Sequence, residues 1–200
     1  MLVTELKRID DKRYCLYMDY EPYCSLYASD IKRLKLDIGA DIDNDIMEEF
    51  RKSYLYKRAM NKAVASLKFS EKCEYDIRLK LEELFYDSEI IDFTISKLKA
   101  YGYIDDLRYA AAYIRKYIHK KGRKIIRYEL SFKKVDEAVI NEAFDMQELP
   151  DEKEAVISIL NKKFTSDDII ERRDKVVLFF VRKGFSSRLV LECMNELCRQ

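Results

Sequence analysis

The chain has 200 residues, 48% of them hydrophobic, which is enough to bury the core of one or two domains. Its 38 Lys and Arg residues nearly balance its 37 Asp and Glu residues, so any contact with a polyanion must come from a local patch of charge. Only four glycines and two prolines occur, too few for the many tight turns of a β-sandwich or an α/β enzyme, so we predict a mainly helical fold.

The first 30 residues differ from the rest because their pattern is that of β-strands. Residues 2–10 and 13–20 flank the pair Asp11-Lys12, and Tyr14, Leu16 and Met18 share one face of the second segment. We predict an N-terminal β-hairpin with one buried face, extended to a small sheet by a short third strand over residues 23–27. Helical spacing begins at about residue 29.

Residues 41–45 read Asp-Ile-Asp-Asn-Asp, which is the carboxylate spacing that opens a calcium-binding loop. The position that needs glycine for the sharp turn holds Ile46, and the position of the closing glutamate holds Lys52, so a calcium loop is excluded. Asp45 with Glu48 three residues later instead predicts a capping box at the start of a helix.

Apolar residues repeat with offsets of 49 and 50 residues over the remaining 150 residues of the chain. In each copy, apolar positions lie nine and five residues before an anchor residue and five and nine residues after it. The anchors are Tyr86, Val135 and Phe185, and the repeated apolar positions are Ile77, Leu81, Ile91 and Ile95; Ile126, Leu130, Ile140 and Phe144; and Val176, Phe180, Val190 and Met194. The period predicts three tandem three-helix repeats that form an elongated, curved array. We expect the N-terminal lead-in over residues 1–50 and the repeats over residues 51–102, 103–148 and 149–200.

The sequence Tyr-Gly-Tyr-Ile-Asp-Asp at residues 101–106 predicts the junction between two helices. Gly102 fits the left-handed position that follows a helix, with Tyr103 or Ile104 as the apolar residue that packs back. We expect Asp105 to cap the next helix and Asp106 to complement the dipole at its N-terminus. The predicted buried positions of that helix are Ala110, Ile114, Tyr117 and Ile118. We therefore interpret the two aspartates as structural.

Few residues of the chain could carry out catalysis. The single histidine, His119, lies among cationic residues and is predicted to be a solvated surface residue. Five scattered cysteines, among them Cys193 and Cys198, have no zinc spacing and predict reduced thiols in a cytoplasmic protein. The sequence shows no glycine-rich phosphate loop, no signal peptide and no long apolar span. We expect no enzymatic activity, no cofactor and no metal site.

The strongest local charge is the basic run, residues 115–134, which holds nine Lys or Arg residues and one Glu with aromatic residues interleaved. The run could form a patch for phosphates or for an acidic protein surface, or it could be a solvated helix face. Tyr109, Tyr113 and Tyr117 lie four residues apart along the preceding helix. They could form a core face or a platform for stacking bases.

Residues 97–114 resemble the signature of the RecX family of bacterial regulatory proteins, in which Gly-Tyr-Ile/Leu-Asp/Asn-Asp is followed by Arg/Glu-Tyr/Phe-Ala. The segment that begins at Ser70 is similar to a helix of that family, with Ser70 as its cap, and residues 171–190 resemble the last RecX repeat. The resemblance covers most of the chain and implies a structural role for the matching motif residues. They are Gly102, Tyr103, Ile104, Asp105, Asp106, Arg108, Tyr109 and Ala110.

One departure from the family pattern concerns the Lys-Gly pair that precedes the anchor of each repeat. Lys183-Gly184 keeps the pair, whereas Phe85 and Lys134 occupy the glycine position in the first two repeats. A residue other than glycine in a left-handed cap costs about 1 kcal/mol, so we expect these two helix ends to close differently.

The resemblance implies that the chain binds the RecA filament on single-stranded DNA. It would inhibit the recombinase, ATPase and coprotease activities of RecA in homologous recombination, DNA repair and the SOS response. The candidate residues for contact with RecA or DNA are Arg115, Lys116, Lys120, Lys121, Arg123, Lys124, Arg127, Arg182 and Lys183. The alternative is direct binding of single- or double-stranded DNA by a helix-turn-helix-like unit. We expect a monomer without membrane contact.

Overall fold

A computed structural model of the chain describes residues 1–198. The N-terminal strands are β1 (Val3–Arg8), β2 (Arg13–Met18) and β3 (Glu21–Tyr27), which form an antiparallel sheet in the order β1-β2-β3. Leu16 is opposite Leu6 on one side and Cys24 on the other. The turn between β2 and β3 holds Asp19 and Tyr20 at positive φ, as tight hairpin turns require. The predicted hairpin and third strand are confirmed.

The helices that follow the sheet belong to the first of two compact units, Met1–Asp105. They are α1 (Ala28–Leu34), α2 (Asn44–Phe50), a π-helical segment (Arg51–Leu55), α3 (Tyr56–Leu67), α4 (Glu74–Glu82) and α5 (Ser88–Ala100). One core joins the buried face of the sheet, through Leu16 and Leu26, to the apolar faces of these helices.

Two predicted helix caps in this unit are wrong. The carboxylate of Asp43 accepts a hydrogen bond from the backbone N–H of Asp45 at 2.9 Å, so Asp43 caps α2 and Asp45 lies in its first turn. Ser70 does not cap α4, because the chain stays non-helical up to Cys73, which occupies the N-cap position. Cys73 is fully buried, so its place in the core sets the point at which the helix begins.

The first unit also buries an ion pair. Asp30 lies at the start of α1 with no exposed surface, and Arg58 of α3 contacts both of its carboxylate oxygens. Burial alone would raise the pKa of Asp30. The hydrogen bonds from Arg58 and from the Tyr27 N–H outweigh burial, so the pKa lies below the ordinary value of 3.8. The pair therefore ties the sheet end of the unit to α3.

The second unit begins at Asp106. Its helices are α6 (Asp106–Tyr117), α7 (Arg123–Phe132), α8 (Glu137–Asp145), α9 (Glu152–Lys163), α10 (Ser166–Glu171), α11 (Arg173–Arg182) and α12 (Ser187–Leu197). The short helix α10 was not predicted. It begins with a reciprocal cap in which Thr165 Oγ1 accepts the Asp168 N–H and the Asp168 carboxylate accepts the Thr165 N–H, both at 3.2 Å. The finer division of the chain into a lead-in and three repeats stays a prediction.

The periodic apolar positions are buried as predicted. Leu81, Leu130 and Phe180, which lie five residues before the anchors, have no exposed surface. The other members of the pattern are buried as well: Ile77, Ile91, Ile95, Ile126, Ile140, Phe144, Val176, Val190 and Met194. The repeat in the sequence therefore corresponds to a repeated set of core positions.

The three helix ends before the anchors close in the same way, contrary to our expectation. Phe85, Lys134 and Gly184 all have positive φ, at 62°, 58° and 87°. In each case the anchor N–H donates to the carbonyl five residues earlier at 3.2 Å, which closes the last turn. These hydrogen bonds and the packing of the anchor residue, which is partly buried at Tyr86 and buried at Val135 and Phe185, outweigh the strain of a side chain in the left-handed region.

Candidate binding surface

The RecX-like motif of residues 102–110 forms the predicted junction. Gly102 has a φ of 69°, and the Tyr103 N–H donates to the Leu98 carbonyl at 2.9 Å, so α5 ends in a left-handed cap. Ile104 is the buried apolar residue that packs back, whereas half of the Tyr103 side chain is exposed. Asp105 directly precedes α6 and Asp106 lies in its first turn. Farther along, Ala110 is buried and Arg108 is exposed.

Two cations of the basic run are engaged within the molecule. The Lys121 ammonium contacts both carboxylate oxygens of Glu129, at 2.6 and 2.8 Å, and the Tyr113 hydroxyl donates to the same carboxylate at 2.9 Å. Burial, together with this carboxylate, raises the pKa of Tyr113. Arg127 donates to Asn141 at 2.5 Å and its guanidinium stacks over the Phe144 ring at 4.4 Å. Neither cation is therefore free to be the main contact of a partner.

The tyrosines of α6 form a half-buried ladder. The rings of Tyr109 and Tyr113 lie 6.0 Å apart, and those of Tyr113 and Tyr117 lie 4.5 Å apart. The Lys121 ammonium lies 4.3 Å from the centre of the Tyr117 ring. Because neighbouring side chains cover these rings, the ladder fits a packed helix face better than an open platform for bases.

The other candidate cations on α6 and α7 are exposed. Arg115 donates to Gln147 at a long 3.4 Å, and the Lys116 ammonium lies 5.4 Å from the Tyr117 ring. Arg123 and Lys124 begin α7 and line a surface groove of about 680 Å³ together with Tyr128. These four side chains are available to a partner.

A close approach of two glycines fixes the segment that holds His119 and Lys120. The Gly122 N–H donates to the Lys183 carbonyl at 2.8 Å. A methyl group on Gly122 would overlap the backbone of Gly184, and one on Gly184 would lie 2.7 Å from Ile125 Cβ. The absence of side chains at both positions lets the α6–α7 loop lie against the end of α11.

The same approach brings cations from three segments together. Residues that line one cleft of about 350 Å³ come from the α6–α7 loop, α9 and the end of α11; they are His119, Lys120, Ser158, Ile159, Lys162, Lys163 and Lys183. An adjoining cleft of about 380 Å³ on α11 is lined by Lys175, Leu178, Phe179, Arg182 and Lys183. We call the two together the basic cleft.

The structure thus places three predicted cations, Lys120, Arg182 and Lys183, in the basic cleft. It also places Lys162, Lys163 and Lys175 there, which the sequence analysis did not select. The available signals were the adjacent lysines at the end of α9 and the seven-residue spacing between Lys175 and Arg182, which puts both on one helix face.

Within residues 1–198, no cluster of His, Cys, Asp and Glu side chains could hold a metal ion. In the same part of the chain no helix is long and apolar enough to span a membrane.

Comparison with known proteins identifies the family. A family model described as the second three-helix domain of RecX matches residues 105–143, which include α6, α7 and most of α8. A protein named "Regulatory protein RecX" from Bacillus cytotoxicus is 31% identical over 96% of this chain and 75% of its own length. The chain belongs to the RecX family. Another RecX protein, from Clostridium acetobutylicum, is 29% identical over 96% of this chain and 94% of its own length.

Two solved RecX structures have the same fold. One, described as "Crystal structure of regulatory protein RecX", gives a TM-score of 0.64 at 24% identity and covers 97% of this chain and 98% of the solved chain. The other, from Lactobacillus salivarius, gives a TM-score of 0.59 at 24% identity and covers 71% of this chain and 96% of the solved chain. The mainly helical fold and the RecX assignment made from the motifs are confirmed.

Proposed function

We propose that this RecX protein binds the RecA filament on single-stranded DNA and inhibits the recombinase, ATPase and coprotease activities of RecA. The mechanism is steric and requires no bond chemistry in the chain itself. Two observations support the proposal. The chain belongs to a family whose members are named regulatory proteins, and the RecX-like motif forms the junction between α5 and α6.

The observation that carries the proposal is the set of exposed cations in the second unit. Net charge is close to zero, yet these cations gather on α6, α7, α9 and α11, and those of the basic cleft have no carboxylate among the lining residues. Uncompensated cations raise the local potential and attract a polyanionic assembly such as a nucleoprotein filament. We propose Arg115, Lys116, Arg123, Lys124 and the cations of the basic cleft as the contacting residues.

The test is RecA ATPase activity on single-stranded DNA with this chain titrated in. We expect inhibition that becomes weaker as the salt concentration rises, because charge contacts contribute to association. If excess single-stranded DNA fully restores the ATPase rate, the chain only sequesters DNA and the direct DNA-binding alternative is correct. No inhibition at low salt contradicts both mechanisms.

A pair of charge-reversal variants locates the surface. Arg123→Glu with Lys124→Glu should weaken inhibition, while Arg127 is left unchanged because it packs on Phe144. The matched control is Lys57→Glu with Lys62→Glu on α3, which changes the charge equally at two exposed positions of the first unit. If both variants weaken inhibition equally relative to the parent, only net charge matters. If the Arg123 and Lys124 variant inhibits as well as the parent, these two residues are not contacts. Far-UV circular dichroism verifies that both variants are folded.

A further inference from the structure

The cations of the basic cleft line one concave surface and have no acidic partners. Within residues 1–198, no carboxylate lies within ion-pair distance of the cleft cations, which are Lys120, Lys162, Lys163, Lys175, Arg182 and Lys183. Some other cations of the same unit are paired, such as Lys121 with Glu129 and Lys153 with Glu196. The first part of the cleft alone holds four of these cations, and like charges in one concave surface repel one another. A bound anion would therefore reduce this electrostatic repulsion.

An aromatic ring orients two of these cations. The ammonium groups of Lys163 and Lys183 lie 5.4 and 5.1 Å from the centre of the Phe179 ring. Phe179 in turn packs edge-on against Phe164 and Phe180, with ring centres 5.3 Å apart in each pair. Since Phe180 is fully buried, the ring is anchored to the core, and the two lysines keep a defined position without using a carboxylate.

The backbone fixes the remaining geometry. The hydrogen bond from the Gly122 N–H to the Lys183 carbonyl holds the segment with His119 and Lys120 beside the end of α11. Lys183 lines both parts of the cleft, so the two parts follow one another along the surface. Two cationic sites in series suit a polymer whose anionic groups repeat along one chain.

We propose that the basic cleft binds the phosphodiester backbone of a single nucleic-acid strand, with one phosphate in each part and Lys183 shared between them. The inference rests on the proposed function and deepens it, because it names the group of the filament that this surface recognises. Leu178, more than half exposed, and Phe179 supply apolar surface for sugars or bases beside the phosphates. A nucleic-acid strand offers both regularly repeated charge and ring faces to this surface, whereas a purely acidic peptide such as polyglutamate offers the charge alone.

The experiment measures binding of a dye-labelled oligothymidine to the full chain by fluorescence anisotropy, without RecA, over a range of salt concentrations. The cleft variant is Lys162→Gln with Lys163→Gln and Lys183→Gln. The matched control is Lys57→Gln with Lys62→Gln and Lys68→Gln, which removes the same charge from three exposed positions of the first unit. Both variants are checked by circular dichroism.

For a single strand each phosphate contact contributes about 0.7 to the slope of log affinity against log salt concentration. The loss of two contacts should therefore lower the magnitude of the slope by about 1.4, and the affinity at low salt should fall about tenfold or more. The control should keep the parental slope. Equal losses in the two variants, or parental binding by the cleft variant, would overturn the proposal.

Two further arms separate the possible failures. A polyglutamate peptide that displaces the oligothymidine at equal charge concentration would show that the cleft takes acidic protein, and the proposal would be wrong. RecA ATPase is measured in parallel. If the parent inhibits RecA but the cleft variant binds the oligothymidine as the parent does, the cleft proposal fails while the proposed function stands. If the cleft variant loses binding but the parent does not inhibit RecA, the cleft proposal stands and the proposed function fails.

Discussion

The contact between Gly122 and Gly184 allows a sharp test of how the second unit is built. Gly122 has a φ of −68°, which alanine adopts without strain. From conformation alone, Gly122→Ala should stabilise the protein by about 0.4–1 kcal/mol, because alanine restricts the unfolded chain. The structure predicts the opposite result.

A Cβ atom on Gly122 would overlap the Gly184 carbonyl oxygen and would lie 2.5 Å from its carbon, where ordinary contact begins at about 3.4 Å. The two backbone segments must separate by about 1 Å, which lengthens the hydrogen bond from Gly122 to Lys183. Overpacking costs about 1–3 kcal/mol and the hydrogen bond contributes about 1 kcal/mol. After the gain from the unfolded state is subtracted, we expect a net loss of about 2 kcal/mol.

The assay is urea unfolding followed by far-UV circular dichroism, with Gly102→Ala as the reference. Gly102 has a φ of 69° but open space at its Cβ position. The variant should therefore lose only about 1 kcal/mol of stability, which is the conformational strain of alanine at a positive φ. Gly122→Ala that is as stable as the parent, or more stable, would refute the close approach. If the loss occurs, the same variant should also bind oligothymidine more weakly, because the loop that holds Lys120 moves.

Three other predictions concern stability. Lys134→Gly should stabilise the protein by up to about 1 kcal/mol in urea unfolding, since the position has a φ of 58°; a loss of stability would contradict the left-handed cap. Asp105→Ala should cost about 1 kcal/mol as a lost helix cap; a fully stable variant that cannot inhibit RecA would show that Asp105 contacts the partner instead. Asp30→Asn should cost about 3 kcal/mol because it leaves Arg58 without its buried partner. The pKa of Asp30 is lowered by folding, so the parent should lose stability as the pH falls below about 4, and the variant should lose less over the same range, because only the other carboxyls with lowered pKa values, such as that of Glu74, remain.

The sequence predicted those parts of the fold that depend on local pattern. Alternation revealed the strands, and the 50-residue apolar period identified buried positions such as Leu81, Leu130 and Phe180, because each repeat must bury the same faces. The caps at Asp45 and Ser70 were wrong because several neighbouring residues can cap a helix. Tertiary packing decides which one does so.

The candidate surface was only partly predictable for a related reason. Whether a cation is available depends on carboxylates and rings that lie elsewhere in the sequence, such as Glu129 for Lys121 and Phe144 for Arg127. Lys162 is an ordinary surface residue in the sequence. It belongs to the basic cleft only because the fold brings α9 next to the end of α11.

The central claim, that the chain recognises the filament, is tested most directly by its binding to three ligands. Dye-labelled chain is titrated with single-stranded DNA alone, with RecA alone, and with RecA filaments formed on the same DNA with a non-hydrolysable ATP analogue. The account predicts the tightest binding to the filament, with weaker and more salt-sensitive binding to bare DNA. Binding to bare DNA that is as tight as binding to the filament would contradict it.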